Sequence, residues 1–127
     1  MSKKIIYTSS APEPIGPYSQ AVQAGDFIFL SGQVAINPTT GLLVLDTIKN
    51  ETTQVMQNLE AVLKQAGCSF SDVIKTTIFL SDMEYFTIVN EVYSGYFEKD
   101  FPARETVAVK TLPRSVNVEI SMTAFKV

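Results

Sequence analysis

The segment FPARETVAVKTLPRSVNVEIS, Phe101 to Ser121, carries two charges whose types suit small-molecule chemistry. Arg104 follows a Pro-Ala step, and Glu119 sits inside an alternating apolar run. A guanidinium offers a planar fork that holds a carboxylate through two parallel hydrogen bonds, so Arg104 is suited to anchor a small organic acid. A carboxylate such as Glu119 can position a water and take its proton. The chain contains no histidine, which leaves acid–base work to Glu, Asp, Lys, Tyr or Cys. Periodicity by itself reads both residues as ordinary surface charges, because charged side chains are mostly exposed. Along the last strand Val116, Val118, Ile120, Met122 and Ala124 point one way, and Asn117, Glu119, Ser121 and Thr123 the other. In the strand before it, Val107 and Val109 share one face, with Arg104, Thr106 and Ala108 opposite, which places both charges on non-core faces.

The elements that must hold these residues can be read from pattern. Ser9 to Pro17 is a Pro/Gly-rich loop, stiffened because proline fixes φ and pushes the preceding residue toward extended geometry. Phe27 to Gln33 is an apolar run of strand length, and Asn37 to Gly41 a turn. From Thr47 to Ala66 the apolar residues Ile48, Val55, Met56, Leu59, Val62, Leu63 and Ala66 form one helical stripe, with Asp46 as N-cap and Gly67 as the stop. Val73 to Leu80 is rich in β-branched residues and reads as a strand. Asp82 to about Glu98 reads as a second helix, with Phe86, Val89, Tyr93 and Phe97 in register. Strands near Arg104 to Lys110 and Val116 to Phe125 follow, joined across Leu112-Pro113. The order β, β, α, β, α, β, β predicts an α+β domain with both helices on one face of a single sheet. The second face then calls for cover by another subunit.

At 127 residues the chain is expected to form one domain, 1–127. Apolar residues make up 46% and charged residues 18%, which excludes a disordered polar chain. The net charge is −3 and no basic run exceeds Lys3-Lys4, which argues against a phosphate-tracking surface. The single cysteine, Cys68, cannot form an intrachain disulfide and has no metal-binding companions; it reads as an inert small hydrophobe. The N-terminal apolar stretch is too short for a signal-peptide core, and no run reaches membrane-spanning length. A cytoplasmic protein without a membrane partner is expected.

The segment from Phe101 to Ser121 resembles the C-terminal signature of the RidA (YjgF) family, the reactive-intermediate imine deaminases, also called endoribonuclease L-PSP. The resemblance extends through IGPYSQAV (Ile15–Val22), SGQV (Ser31–Val34), AGCSFSDVIKTTIFLSD (Ala66–Asp82) and VNEVYSGYF (Val89–Phe97), in the family's order. It implies a chorismate-mutase-like α+β fold whose last strand inserts beside earlier ones, and a homotrimer with active sites in the clefts between subunits. It implies that Arg104 clamps a substrate carboxylate and that Glu119 handles the attacking water. Tyr18, Ser31, Gly32, Asn90 and Thr106 take substrate-binding or pocket-shaping positions. The implied reaction is hydrolysis of 2-iminobutanoate- or 2-iminopropanoate-type acids, or their enamine tautomers, to 2-oxo acids and ammonia, with no metal or organic cofactor.

Bland readings stand beside these assignments. Tyr18 can pack over the Pro17 loop, Ser31-Gly32 can ease a strand bend, and Asn90 can be a helix-surface amide. Thr106 stands where many relatives have cysteine, which favours water over a thiol as nucleophile. Glu105, commonly a small residue in relatives, points away from Arg104 by alternation. Two other functions remain open: an RNA-acting endoribonuclease or translation inhibitor, and a non-catalytic trimer that binds 2-oxo acids. The charge balance and the missing histidine count against the first.

Overall fold

A computed structural model of the chain describes residues 2 to 126. Six strands and two helices follow the order β1 (Lys4–Ile6), β2 (Ala21–Ala24), β3 (Phe27–Gln33), α1 (Ile48–Gln65), β4 (Val73–Leu80), α2 (Phe86–Ser94), β5 (Ala103–Ala108) and β6 (Val118–Phe125). They form one sheet in the order β1-β2-β3-β6-β4-β5. Only β4 and β5 run parallel, as the crossover through α2 requires; the other neighbours are antiparallel. Two strands were expected before α1, but three are present. β1 and β2 span only three and four residues, too short for alternation to stand out.

The last strand lies between β3 and β4, so β5 and β6 are not neighbours although they are consecutive. Its alternation is complete. Val118, Ile120, Met122 and Ala124 are at most 3% exposed, while Glu119, Ser121, Thr123 and Phe125 face the other side half-buried. The buried set meets Val55, Leu59, Val62 and Leu63 of α1, and Val89 and Tyr93 of α2, in one core. Full burial of a side chain such as Ile120 contributes about 1.5–3 kcal/mol. Both helices thus cover one sheet face, as patterning predicted. The opposite, open face exposes Phe27 and Phe29, which with Phe125 form an aromatic cluster at 6.2 and 5.0 Å centroid separations.

The helix ends show where local chemistry departs from expectation. The N-cap of α1 is Thr47, not Asp46: Thr47 Oγ1 accepts from the Asn50 amide at 3.0 Å, and Asp46 instead takes the Asn50 side-chain amide at 2.9 Å. Gly67 ends α1 at φ +77°, with its amide donating to Lys64 O and the Cys68 amide to Leu63 O. The second helical segment divides into a 3₁₀ turn, Met83–Tyr85, and α2, which stops at Ser94 rather than near Glu98. Asp82 caps that turn by accepting from the Glu84 amide at 2.9 Å.

Two buried polar side chains, not singled out from sequence, pin the segments that carry the site. Glu51 on α1, 0% exposed, accepts from the Asn117 and Val118 amides at 2.8 and 3.0 Å and from Asn117 Nδ2 at 2.9 Å. It fixes where β6 begins, one residue before Glu119. Gln20, 1% exposed, accepts from the Thr8 amide at 2.7 Å and donates to Thr8 O and Pro12 O at 3.0 and 2.9 Å. It holds the proline-rich loop against β2. Such groups are retained inside only because their hydrogen bonds offset desolvation.

Candidate active site

Arg104 lies on β5 beside Thr76 of β4, and Thr76 is fully buried on the helix-covered face. Arg104 therefore points toward α2, correcting its expected place on a non-core face. Val107 makes the reverse correction: it is 44% exposed, on the open side. The cause is position. β5 is the sheet's edge, so its helix-side residues meet α2 at the rim and its valine is left exposed on the open face.

Three neighbours hold the guanidinium. Nη1 donates to Asn90 Oδ1 at 2.8 Å, and Cζ lies 5.1 Å from the Tyr93 ring centroid and 5.8 Å from that of Phe86. Among the described residues no carboxylate pairs with Arg104. Asn90, Tyr93, Ser94, Phe101, Pro102 and Arg104 line a cleft of about 440 Å³. A fixed cation with free N–H groups beside apolar walls is a receptor for a small carboxylate. Thr106 shares Arg104's side of β5, but it does not line this cleft; its Oγ1 is buried without a hydrogen-bond partner. Glu105 faces away and pairs with Lys75 at 2.9 Å while accepting from the Thr77 hydroxyl. These contacts, the hydroxyl first, lower its carboxyl below the usual range.

Glu119 occupies a different place. It pairs laterally with Phe79, on the open face, while its neighbours Val118 and Ile120 point into the core. It lies across a bulge in β3, where register shifts between Leu30 and Gln33. Gly32 sits at that bulge, and a Cβ there would come within 2.7 Å of Glu119 Oε2 and 2.9 Å of Cδ. The glycine leaves the space that the carboxylate fills. Ser31 is spent on structure: its hydroxyl donates to Ser19 O at 2.6 Å and its amide to Gln20 O at 2.9 Å, tying β3 to the loop that carries Tyr18. Tyr18, 49% exposed, shares with Ile15, Gly32, Pro113, Arg114 and Glu119 the wall of a small cavity of about 80 Å³. Arg114 and Ser115 adopt φ of +57° and +56°, left-handed geometry costing a non-glycine residue about 1–3 kcal/mol. Burial raises the Glu119 carboxyl above the ordinary glutamate value.

The seven sequence-selected residues thus fall into two groups. Arg104, Asn90 and Thr106 lie on the helix-covered side at the β5 edge; Glu119, Gly32, Ser31 and Tyr18 gather around the bulge facing the other way. Arg104 and Glu119 project from opposite faces of the sheet and do not meet within one chain. A larger cleft, about 950 Å³ between α1 and the Thr8–Ser10 segment, holds none of these residues. Its Cys68 thiol is raised by burial, which makes it a poor nucleophile. Tyr93, which sequence reading took only as a core position, belongs to the Arg104 group. Its helical register signalled burial but not the cation above its ring. Among the described residues no cluster of three or more potential metal ligands occurs, and no helix is long and apolar enough to cross a membrane.

The endoribonuclease L-PSP family model matches residues 8–126. A RutC family protein of Pyrococcus horikoshii is 50% identical over 124 residues, covering 98% of each chain. The 2-iminobutanoate/2-iminopropanoate deaminase of Mus musculus is 48% identical over 122 residues, covering 96% of this chain and 90% of its own. A crystal structure of a putative endoribonuclease from Thermotoga maritima is similar at a TM-score of 0.95 and 50% identity, covering 98% of both chains.

Proposed function

The chain belongs to the endoribonuclease L-PSP, or RidA/YjgF, family, and we propose that it hydrolyses 2-imino and 2-enamino acids to 2-oxo acids and ammonia. The observation that carries this reading is the unpaired, pre-oriented guanidinium of Arg104 in a cleft of small-substrate size. The deaminase name of relatives at 42–48% identity supports the same reaction.

In the proposed site the substrate carboxylate docks on Arg104, leaving the C=N carbon presented to water. Glu119 takes a proton from that water as its oxygen bonds to carbon and returns it to the former imine nitrogen, giving a neutral carbinolamine. The carbinolamine hydroxyl then gives its proton to Glu119, which passes it to the nitrogen as the C–N bond breaks: ammonia departs, and the C=O of the 2-oxo acid forms. A carboxyl raised by burial suits both halves of this exchange, since it lies nearer neutral pH than a solvated glutamate. Thr106 offers no thiolate, so water is the nucleophile.

Because Arg104 and Glu119 face opposite ways, this mechanism needs two copies of the chain, one supplying each half. A contact joining different patches of identical chains is heterologous, and it closes when the copies form a ring. We take the ring to be a homotrimer, as the family resemblance implies, with the Phe27, Phe29 and Phe125 face turned inward. The roles of Tyr18, Ser31, Gly32 and Asn90 follow: the first three shape the Glu119 side and Asn90 fixes Arg104.

The test is a coupled assay in which an amino-acid oxidase generates the imine. Release of 2-oxo acid and ammonia faster than in buffer is expected; release at the buffer rate removes the deaminase reading. Binding of 2-oxobutanoate without acceleration would leave a non-catalytic 2-oxo-acid receptor. RNA cleavage that tracks the protein through purification and is lost in Arg104→Ala would favour the ribonuclease reading.

A further inference from the structure

We propose that Tyr93 is a positioning residue for Arg104, its ring and its bond to Thr76 holding the guanidinium in the plane that receives a carboxylate. The inference rests on the reading of Arg104 as carboxylate anchor, and extends the site to two residues, Tyr93 and Thr76, that act through the arginine.

An arginine side chain carries large rotamer entropy, which a ligand must freeze unless the protein has already done so. Here much of the ordering precedes the ligand. Asn90 Oδ1 fixes one edge through Nη1, and the remaining guanidinium N–H groups have no protein partner among the described residues. One hydrogen bond still permits rotation about its own axis. The Tyr93 ring removes that freedom, with its centroid 5.1 Å from Cζ. A guanidinium over an aromatic face is attracted by the ring quadrupole, and a π-face resists tilting in a way that an alkyl group does not.

Tyr93 is itself locked. It is 3% exposed, and its hydroxyl donates to Thr76 Oγ1 at 2.9 Å. Thr76 is 0% exposed and is the residue of β4 registered directly beside Arg104. The three therefore close a triangle: strand pairing joins Thr76 to Arg104, a hydrogen bond joins Thr76 to Tyr93, and the ring returns to the guanidinium. Moving the ring away from Arg104 would leave two buried hydroxyls unpaired, which is costly. Phe97, 4.8 Å away by ring centroids, closes off another direction of escape. The phenol, raised chiefly by burial, stays un-ionised at neutral pH and keeps its proton for Thr76.

Four proteins decide the matter: wild type, Tyr93→Met, Tyr93→Phe and Thr76→Val. Methionine fills much of the ring's volume without a π-face, phenylalanine restores the face without the hydroxyl, and valine removes the partner without disturbing either. Each is assayed for imine hydrolysis and titrated with 2-oxobutanoate. We expect Tyr93→Met to raise KM and the 2-oxobutanoate Kd roughly five- to tenfold with kcat within about twofold. Tyr93→Phe and Thr76→Val should fall between Tyr93→Met and wild type, at roughly two- to threefold. Unchanged KM and Kd in Tyr93→Met, or equal losses in Tyr93→Met and Tyr93→Phe, would overturn the proposal. Should Tyr93→Met not fold, Thr76→Val decides: an unchanged Kd there is also fatal. Titration separates this inference from the reaction. A wild type that binds 2-oxobutanoate without hydrolysing imines removes deamination and leaves the role of Tyr93 still measurable, whereas a wild type that binds no carboxylate removes the positioning role too.

Discussion

The two halves of the proposed site are built in contrasting ways. Around Arg104 the protein fixes a charge by surrounding it: an amide at 2.8 Å, two aromatic rings, and a strand neighbour that is fully buried. Around Glu119 it leaves a charge uncompensated. A bulge and a glycine clear space for the carboxylate, a left-handed turn at Arg114 and Ser115 walls the cavity, and burial raises the carboxyl. The first arrangement suits a group that must keep its charge and direction throughout. The second suits one that must gain and lose a proton. On the proposed reading, binding and proton transfer need different surroundings, and the two residues assigned to them lie on opposite faces of one sheet.

The sharpest way to break the contrast is at Glu119. Removing the proton acceptor with Glu119→Gln should lower kcat about a thousandfold while leaving 2-oxobutanoate affinity within a few-fold, because general-base catalysis contributes roughly 10²–10⁴. In the unsubstituted protein, activity should fall as pH drops through the raised Glu119 pKa, since the carboxylate form is the base, and this acid limb should lie above the ordinary glutamate range. A limb at or below that range in a kcat/KM profile would contradict the assigned role.

Arg104→Ala should act next most strongly, and through binding. Truncating one partner of a close charge pair costs about 2–5 kcal/mol, so kcat/KM should fall about a hundredfold, with Kd for 2-oxobutanoate weakened in step. Lysine at this position should restore charge but not the two-bond grip, leaving part of the loss.

The opposite-face geometry predicts complementation. Mixing Arg104→Ala and Glu119→Gln protein, with subunits exchanged, should restore activity to roughly one quarter of wild type. In a ring built by a heterologous contact, that is the share of random neighbours contributing both intact groups. No recovery after demonstrated exchange would place the two residues' action within one chain, against the register of β4, β5 and β6.

A smaller effect is expected at the bulge. Gly32→Ala introduces a Cβ 2.7 Å from Glu119 Oε2, and the flexible carboxylate end yields before the strand does. Activity should fall about tenfold by misplacement of the base. The thermal midpoint should hardly move, because Gly32 has no left-handed φ to strain. A large drop in the midpoint with kcat retained would make Gly32 a folding residue only.

Much of this was legible beforehand, for local reasons. The stripe Val55, Leu59, Val62 and Leu63 announced α1 and its buried face, because four successive contacts repeat one helical period. Alternation from Val118 to Ala124 assigned Glu119 to the non-core side correctly, since a central strand sees core on one face along its whole length. Alternation misassigned Arg104 for the converse reason. On an edge strand the helix-side residues meet only a rim, so Val107 stays exposed while an arginine lies against aromatic rings. Tyr93 read as core from its period; nothing in a period reveals a cation above the ring.

Sequence by itself determined the residue chemistry: a chain without histidine, an arginine and a glutamate in a family signature, and helices and strands whose apolar periods specify one α+β sheet. Tertiary structure alone decided where that chemistry points. Insertion of β6 between β3 and β4 and the parallel placement of β5 at the edge set Arg104 and Glu119 on opposite faces. Strand order is a matter of long-range pairing, fixed by how all six strands bury their apolar sides together. A side chain's face follows from local alternation, but what lies across from it depends on strands distant in the chain.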